Sequence, residues 1–60
     1  MNNELIQFCK DNGLKPTRLV ELTGYTIDGI NSWYRKPPHQ VEARPVVLKL
    51  LKALKRLGDL

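Results

Sequence analysis

Four stretches of this chain carry apolar residues at helical spacing, separated by short polar, glycine- or proline-containing segments. Leu5, Phe8 and Cys9, with Ile6 alongside, predict a first helix that packs inward. Asn2 or Asn3 is placed to cap it, and Asn12-Gly13 ends it at about Asp11. Leu19, Val20 and Leu22 predict a second helix, roughly Thr17 to Thr23, with Pro16 in the first turn, where its missing N–H costs nothing. Gly24 follows, where the chain must turn sharply and positive φ is useful. Thr26 is placed to cap a third helix. On that helix Ile30, Trp33 and Tyr34 fall on one side with Ile27 at the edge, while Asp28, Asn31, Ser32 and Arg35 fall on the other. Pro37-Pro38 stop it.

Pro45 opens the last helix, spanning 45–57. Val46, Val47, Leu50, Leu51, Ala53, Leu54 and Leu57 cover about 160° of its wheel, opposite Lys49, Lys52, Lys55 and Arg56, with Leu48 alone among the bases. That arc is wider than a small four-helix core needs. Val47, Leu50, Leu51 and Leu54 are expected in the core, and Val46, Ala53, Leu57 and Leu60 are left for a dimer interface. A symmetric homodimer through this helix would set two third helices about 34 Å apart, one turn of duplex DNA. The other reading assigns the whole arc to a loosely packed core.

The central stretch Lys15–Arg35, KPTRLVELTGYTIDGINSWYR, thus reads as two short helices about a tight turn, the pattern of a helix-turn-helix. It resembles the Cro/C-repressor-like motif of phage and plasmid regulators, which places an aliphatic residue five positions before the turn glycine and apolar residues one, six and nine after it. Leu19, Gly24, Tyr25, Ile30 and Trp33 stand at those spacings. Val20 departs from the alanine usual where the two helices cross, and Thr23 from the apolar residue usual before the glycine. The tail WYRKPPHQVEARPVVLKLLKAL is similar to these regulators after their third helix: a basic loop leading through Arg-Pro into a final apolar helix. The chain's size and its aromatic-then-Arg-Pro order also look like the smallest regulators, the anti-CRISPR-associated repressors. The resemblance implies an all-α, compact four-helix, lambda-repressor-like fold in which residues 1–60 form a single DNA-binding domain.

It also implies roles. Thr26, Ile27, Asp28, Asn31 and Ser32 occupy the leading and outward positions of the helix that reads base edges. Asn can pair bidentately with adenine, Ser serves several bases, and Ile27 can touch a thymine methyl. Asp28 either accepts from a cytosine amino group or simply favours the helix dipole. Gly29, costly inside a helix, allows close approach either to DNA or to the second helix. The loop after this helix lies along the DNA backbone in such repressors, which makes Arg35, Lys36, His39 and Gln40 phosphate contacts, with Arg44 next. Lys15 and Thr17, at the N-terminal end of the second helix, add phosphate contacts, as does the Tyr34 hydroxyl. Trp33 reads as core or, in a single-strand binder, as a stacking platform.

Charge supports a polyanion partner. Residues 31–60 carry seven basic and two acidic side chains, whereas residues 1–30 carry three and four. The competing explanation is ordinary solubilising lysine. Sixty residues bury only about 60% of the surface their unfolded chain exposes, which favours oligomerisation. Cys9 stands alone, forming no intramolecular bridge, and reads as a small core residue. No run reaches the length of a membrane span, and NNELIQF lacks signal-peptide order, so a cytoplasmic protein without membrane contact is expected. The chain offers no paired carboxylates, no Gly-rich phosphate loop and no metal-ligand spacing around His39. No enzyme, cofactor or metal is expected.

The function expected is a sequence-specific double-stranded DNA-binding repressor of a phage or mobile element, occluding a promoter at a pseudo-palindromic operator. Two alternatives differ in kind. One is a protein-interaction module, a small inhibitor or antitoxin-like protein, which the wide apolar arc favours. The other is membrane-surface binding by the basic, amphipathic last helix.

Overall fold

Among residues 2–60, which the computed structural model describes, the chain forms four helices and no strand: α1 (Asn3–Asp11), α2 (Pro16–Thr23), α3 (Ile27–Trp33) and α4 (Pro45–Arg56). Lys15 is extended (ψ 159°) and feeds Pro16 into the first turn of α2. Gly24 ends α2 in the left-handed region (φ 77°, ψ 3°). A side chain there would meet nothing within 4 Å, so conformation rather than space requires glycine.

Both polar residues flanking that turn are used locally. The Thr23 hydroxyl donates to the Leu19 carbonyl (2.6 Å) and accepts from the Tyr25 N–H (3.3 Å), so its departure from an apolar residue closes the turn with hydrogen bonds. Thr26 caps α3, its Oγ1 accepting from the Gly29 N–H at 3.1 Å. A Cβ on Gly29 would lie 3.3 Å from that same oxygen. Within the chain, the close neighbour of Gly29 is therefore its own helix cap and not the second helix.

α2 packs on α3 and α4. Leu19, Ile30 and Leu51, one from each of these helices, are fully buried and form the centre of the core. Leu5 and Cys9 of α1, Trp33 of α3 and Val47 of α4 complete it, with Phe8, Leu14, Val20, Leu22, Ala43, Leu48 and Leu54 partly buried against it. Lys52 on Glu4 (3.0 Å) and Lys55 over the Phe8 ring (5.8 Å) join α4 to α1. Two positions of α4 correct the sequence reading: Leu50, expected in the core, is 39% exposed, while Leu48 lies half-buried against the core. α4 is therefore rolled toward α1, and a wheel alone does not show which edge of a wide apolar arc the other helices cover.

Asn2 corrects it further. The residue stands at the N-cap of α1, yet its side chain makes no capping hydrogen bond. It is buried instead, with Nδ2 donating to the Trp33 (3.2 Å) and Val41 (2.8 Å) carbonyls and Oδ1 accepting from the Ala43 N–H (2.9 Å). One amide thereby ties the start of α1 to the end of α3 and to the segment leading into α4. Removing it would leave buried backbone groups unpaired, at about 1–3 kcal/mol for such a loss. Asn2→Ala is expected to lower stability in urea unfolding by about 2–3 kcal/mol, whereas exposed Asn3→Ala should stay within about 0.5 kcal/mol. Equal effects would return Asn2 to an ordinary helix cap.

Candidate functional site

α3 is short, and the rest of the chain fixes it from behind. Ile30 and Trp33 anchor its inner side. Its C-terminal carbonyls, which a helix leaves unpaired, are met from outside: Trp33 O accepts from Asn2 and from Gln40 Nε2 (2.8 Å), and Ser32 O accepts from the Val41 N–H (3.0 Å). The side turned away from the core presents Ile27, Asp28 and Asn31, all exposed, behind the exposed cap Thr26. Asp28 lies in the first turn, where the helix dipole favours its charge.

Two expected contacts are placed otherwise. Ser32 is buried and its hydroxyl donates to the Gly29 carbonyl, so it belongs to the inner structure of α3 and not to its outward face. Gln40 is half-buried with its amide committed to Trp33 O, a helix end it closes in place of a phosphate. Tyr34, the C-cap of α3, is 37% exposed and stays beside the loop cations. For Ser32 and Gln40 backbone carbonyls are the competing partners, and neither is visible in side-chain spacing along one helix.

The cations divide similarly. Among the described residues the ion pairs are Arg18–Glu21 (2.8 Å) and Lys52–Glu4. Lys15, Arg35, Lys36 and Arg44 are exposed and have no carboxylate partner there. Lys15 stands at the N-cap of α2 beside Thr17, also exposed. Arg35, Lys36 and His39 share the loop after α3, where the His39 N–H donates to the Lys36 carbonyl (3.0 Å) and the Pro37–Pro38 peptide is cis.

An open groove of about 620 Å³ runs between α3 and the segment Val41–Arg44. It brings Thr26, Ser32 and Arg44 together and is lined also by Gly24, Tyr25, Gly29 and Trp33. Tyr25 stands edge-on to Trp33, with centroids 5.3 Å apart and planes at 75°, and is 37% exposed. Sequence reading placed Tyr25 with the apolar core positions of the motif and gave the groove no part. Val46, Ala53, Leu57 and Leu60, the residues expected at a dimer interface, are all exposed, Leu57 at 74%. No helix among the described residues is long and apolar enough to cross a membrane.

The Cys9–Tyr34 contact has a measurable signature. Burial pushes the Cys9 thiol up, and the hydrogen bond from Tyr34 offsets part of that rise. Tyr34 is pushed up to about 12, first by burial and then by the hydrogen bond and charge of Cys9. In the unfolded chain the phenol ionises near its ordinary value of about 10. The protection of the folded state is thus whole below about 10 and is lost as pH rises through 12. In a Tyr25→Phe background, ultraviolet titration should show the remaining tyrosine ionising near 12, and Tyr34→Phe should lessen the alkaline loss of stability, leaving the part due to the raised Cys9 thiol. A midpoint near 10 would mean that the hydroxyl faces solvent.

Comparison of the chain with protein-family models, curated proteins and solved structures finds no match.

Proposed function

We propose that this chain is a sequence-specific double-stranded DNA-binding regulator, a repressor of the phage or mobile-element kind, which acts by occupying a promoter. The observation that carries the reading is the outward side of α3. Ile27, Asp28 and Asn31 project behind the cap Thr26, from a helix whose opposite side and C-terminal end are immobilised. Taken with Gly24, α2 and α3 serve as a helix-turn-helix, and α3 enters the major groove. Asn31 supplies a bidentate partner for adenine, Ile27 an apolar contact for a thymine methyl, and Asp28 an acceptor for a cytosine amino group. Lys15, Arg35, Lys36 and Arg44, free of carboxylate partners among the described residues, clamp phosphates on either side, with Thr17 and His39 beside them. The mechanism is steric exclusion, without chemistry. Two copies joined through α4 would fit a pseudo-palindromic operator. The charges along α4 oppose that pairing, however, and promoter occlusion requires only a bound copy.

One observation favours a second reading: the exposed apolar residues of α4 suit a protein-interaction module, a small inhibitor or antitoxin-like protein. That reading predicts no salt-steep DNA affinity and no response to charge removal at Arg35 or Lys36.

The test is duplex affinity at two salt concentrations, on DNA from immediately upstream of the protein's own gene and on a scrambled control. Asn31→Ala should cost about 1–3 kcal/mol on the upstream duplex and little on the control. Lys36→Ala should weaken both alike and make the log–log salt slope shallower by about 0.9. Ser32→Ala should leave discrimination unchanged. If the Asn31 and Lys36 variants behave identically, α3 does not read bases.

A further inference from the structure

Independently of how α3 is used, we propose that α4 docks a partner protein's amphipathic helix whose apolar stripe is flanked by acidic side chains. Three exposed residues of α4 and its C-cap follow one another at spacings of four, three and four: Val46, Leu50, Ala53 and Leu57. At 100° per residue they fall within about 60°, the narrow seam of helix-on-helix packing and not the broad apolar face of a membrane-surface helix. Knobs at these spacings fit holes on a facing helix. Val46 is 59% exposed, Leu50 39% and Leu57 74%, so the stripe is a contiguous apolar strip and not a scatter of single residues.

Charge decides between a second copy and a different protein. Lys49 and Arg56 run along one edge of the stripe, both exposed, and α4 contains no acidic residue at all. Laid antiparallel on itself about the Leu50–Ala53 midpoint, the helix would bring Lys49 of each copy within a turn of Arg56 of the other, twice. Laid parallel, it would set the same cations against leucines of the other copy. In neither arrangement does α4 itself offer a carboxylate to these cations, and like charges facing across a seam disfavour pairing. A partner helix with glutamate or aspartate along its edge satisfies both cations and covers the same leucines.

The test uses the whole protein and a synthetic amphipathic helical peptide with leucines at four-three-four spacing and glutamates along the edge. Three controls are run: the same peptide with lysine edges, the same glutamates with serine in place of leucine, and phosphatidylglycerol vesicles. Fluorescence anisotropy should show the glutamate–leucine peptide binding at least tenfold more tightly than either peptide control, with no vesicle binding. Analytical ultracentrifugation should show a monomer. Leu57→Ser, at a residue 74% exposed, should weaken the peptide at least tenfold while circular dichroism stays native. The double variant Lys49→Glu, Arg56→Glu should reverse the preference toward the lysine-edged peptide. Three results overturn the proposal: a dimer dissolved by Leu57→Ser, which makes the occupant a second copy; equal binding of the serine peptide, which leaves charge alone; or vesicle binding, which makes the face a lipid surface.

Discussion

The side-chain amide of Asn2 is the contact on which the arrangement of this small domain depends. A seven-residue helix has no stability of its own in water, and α3 is such a helix. Burial of Ile30 and Trp33 gives it a place, but burial is non-directional and leaves the backbone at its end open. Asn2 and Gln40 together meet the Trp33 carbonyl, and Asn2 also holds both a carbonyl and an N–H of the segment beyond. Hydrogen bonds to fixed carbonyls specify orientation where apolar packing does not. Everything proposed for the outward side of α3 requires that orientation.

The helices were legible because their signals are local. Prolines at the two first turns, glycine in left-handed conformation at the end of α2 and threonine capping α3 each act within a few residues. So does the inward placement of Leu5, Cys9, Leu19, Ile30 and Leu51, which follows from helical period. What spacing could not show lies between elements. Ser32 and Gln40 are ordinary surface types whose polar atoms are claimed by a neighbouring carbonyl and a helix end. Asn2 was read as a cap because caps are local, while its partners lie 31 to 41 residues away. Leu48 and Leu50 depart from the wheel for the same reason, since the helices packed on α4 decide which side of it is covered.

Charge and burial are separated in this fold. Carboxylates restrain Arg18 and Lys52, while the loop and turn cations remain unpaired among the described residues. Exposed pairs of this kind add little stability. The unpaired ones cost little either, and they leave a basic surface with no internal carboxylate to displace when a polyanion arrives. The apolar face of α4 is distinct from that surface in composition as well as element, so one small chain can present two chemically different partners with separate sites.

The long span closed by Asn2 also bears on how the domain forms and opens. α2 and α3 adjoin in sequence, and their contacts can form as soon as the chain turns at Gly24. The bonds from Asn2 must wait for closure of a far larger loop, whose entropic cost is met only after the core is assembled. They therefore belong late in folding, and strengthening them slows unfolding more than it speeds folding. The reverse route is a sub-global opening in which Asn2 lets go first and frees the loop from Tyr34 to Arg44 while α2 and α3 stay packed. In amide hydrogen exchange such a molecule has two tiers of protection, with Val41 and Ala43 in the faster one and Ile30 in the slower.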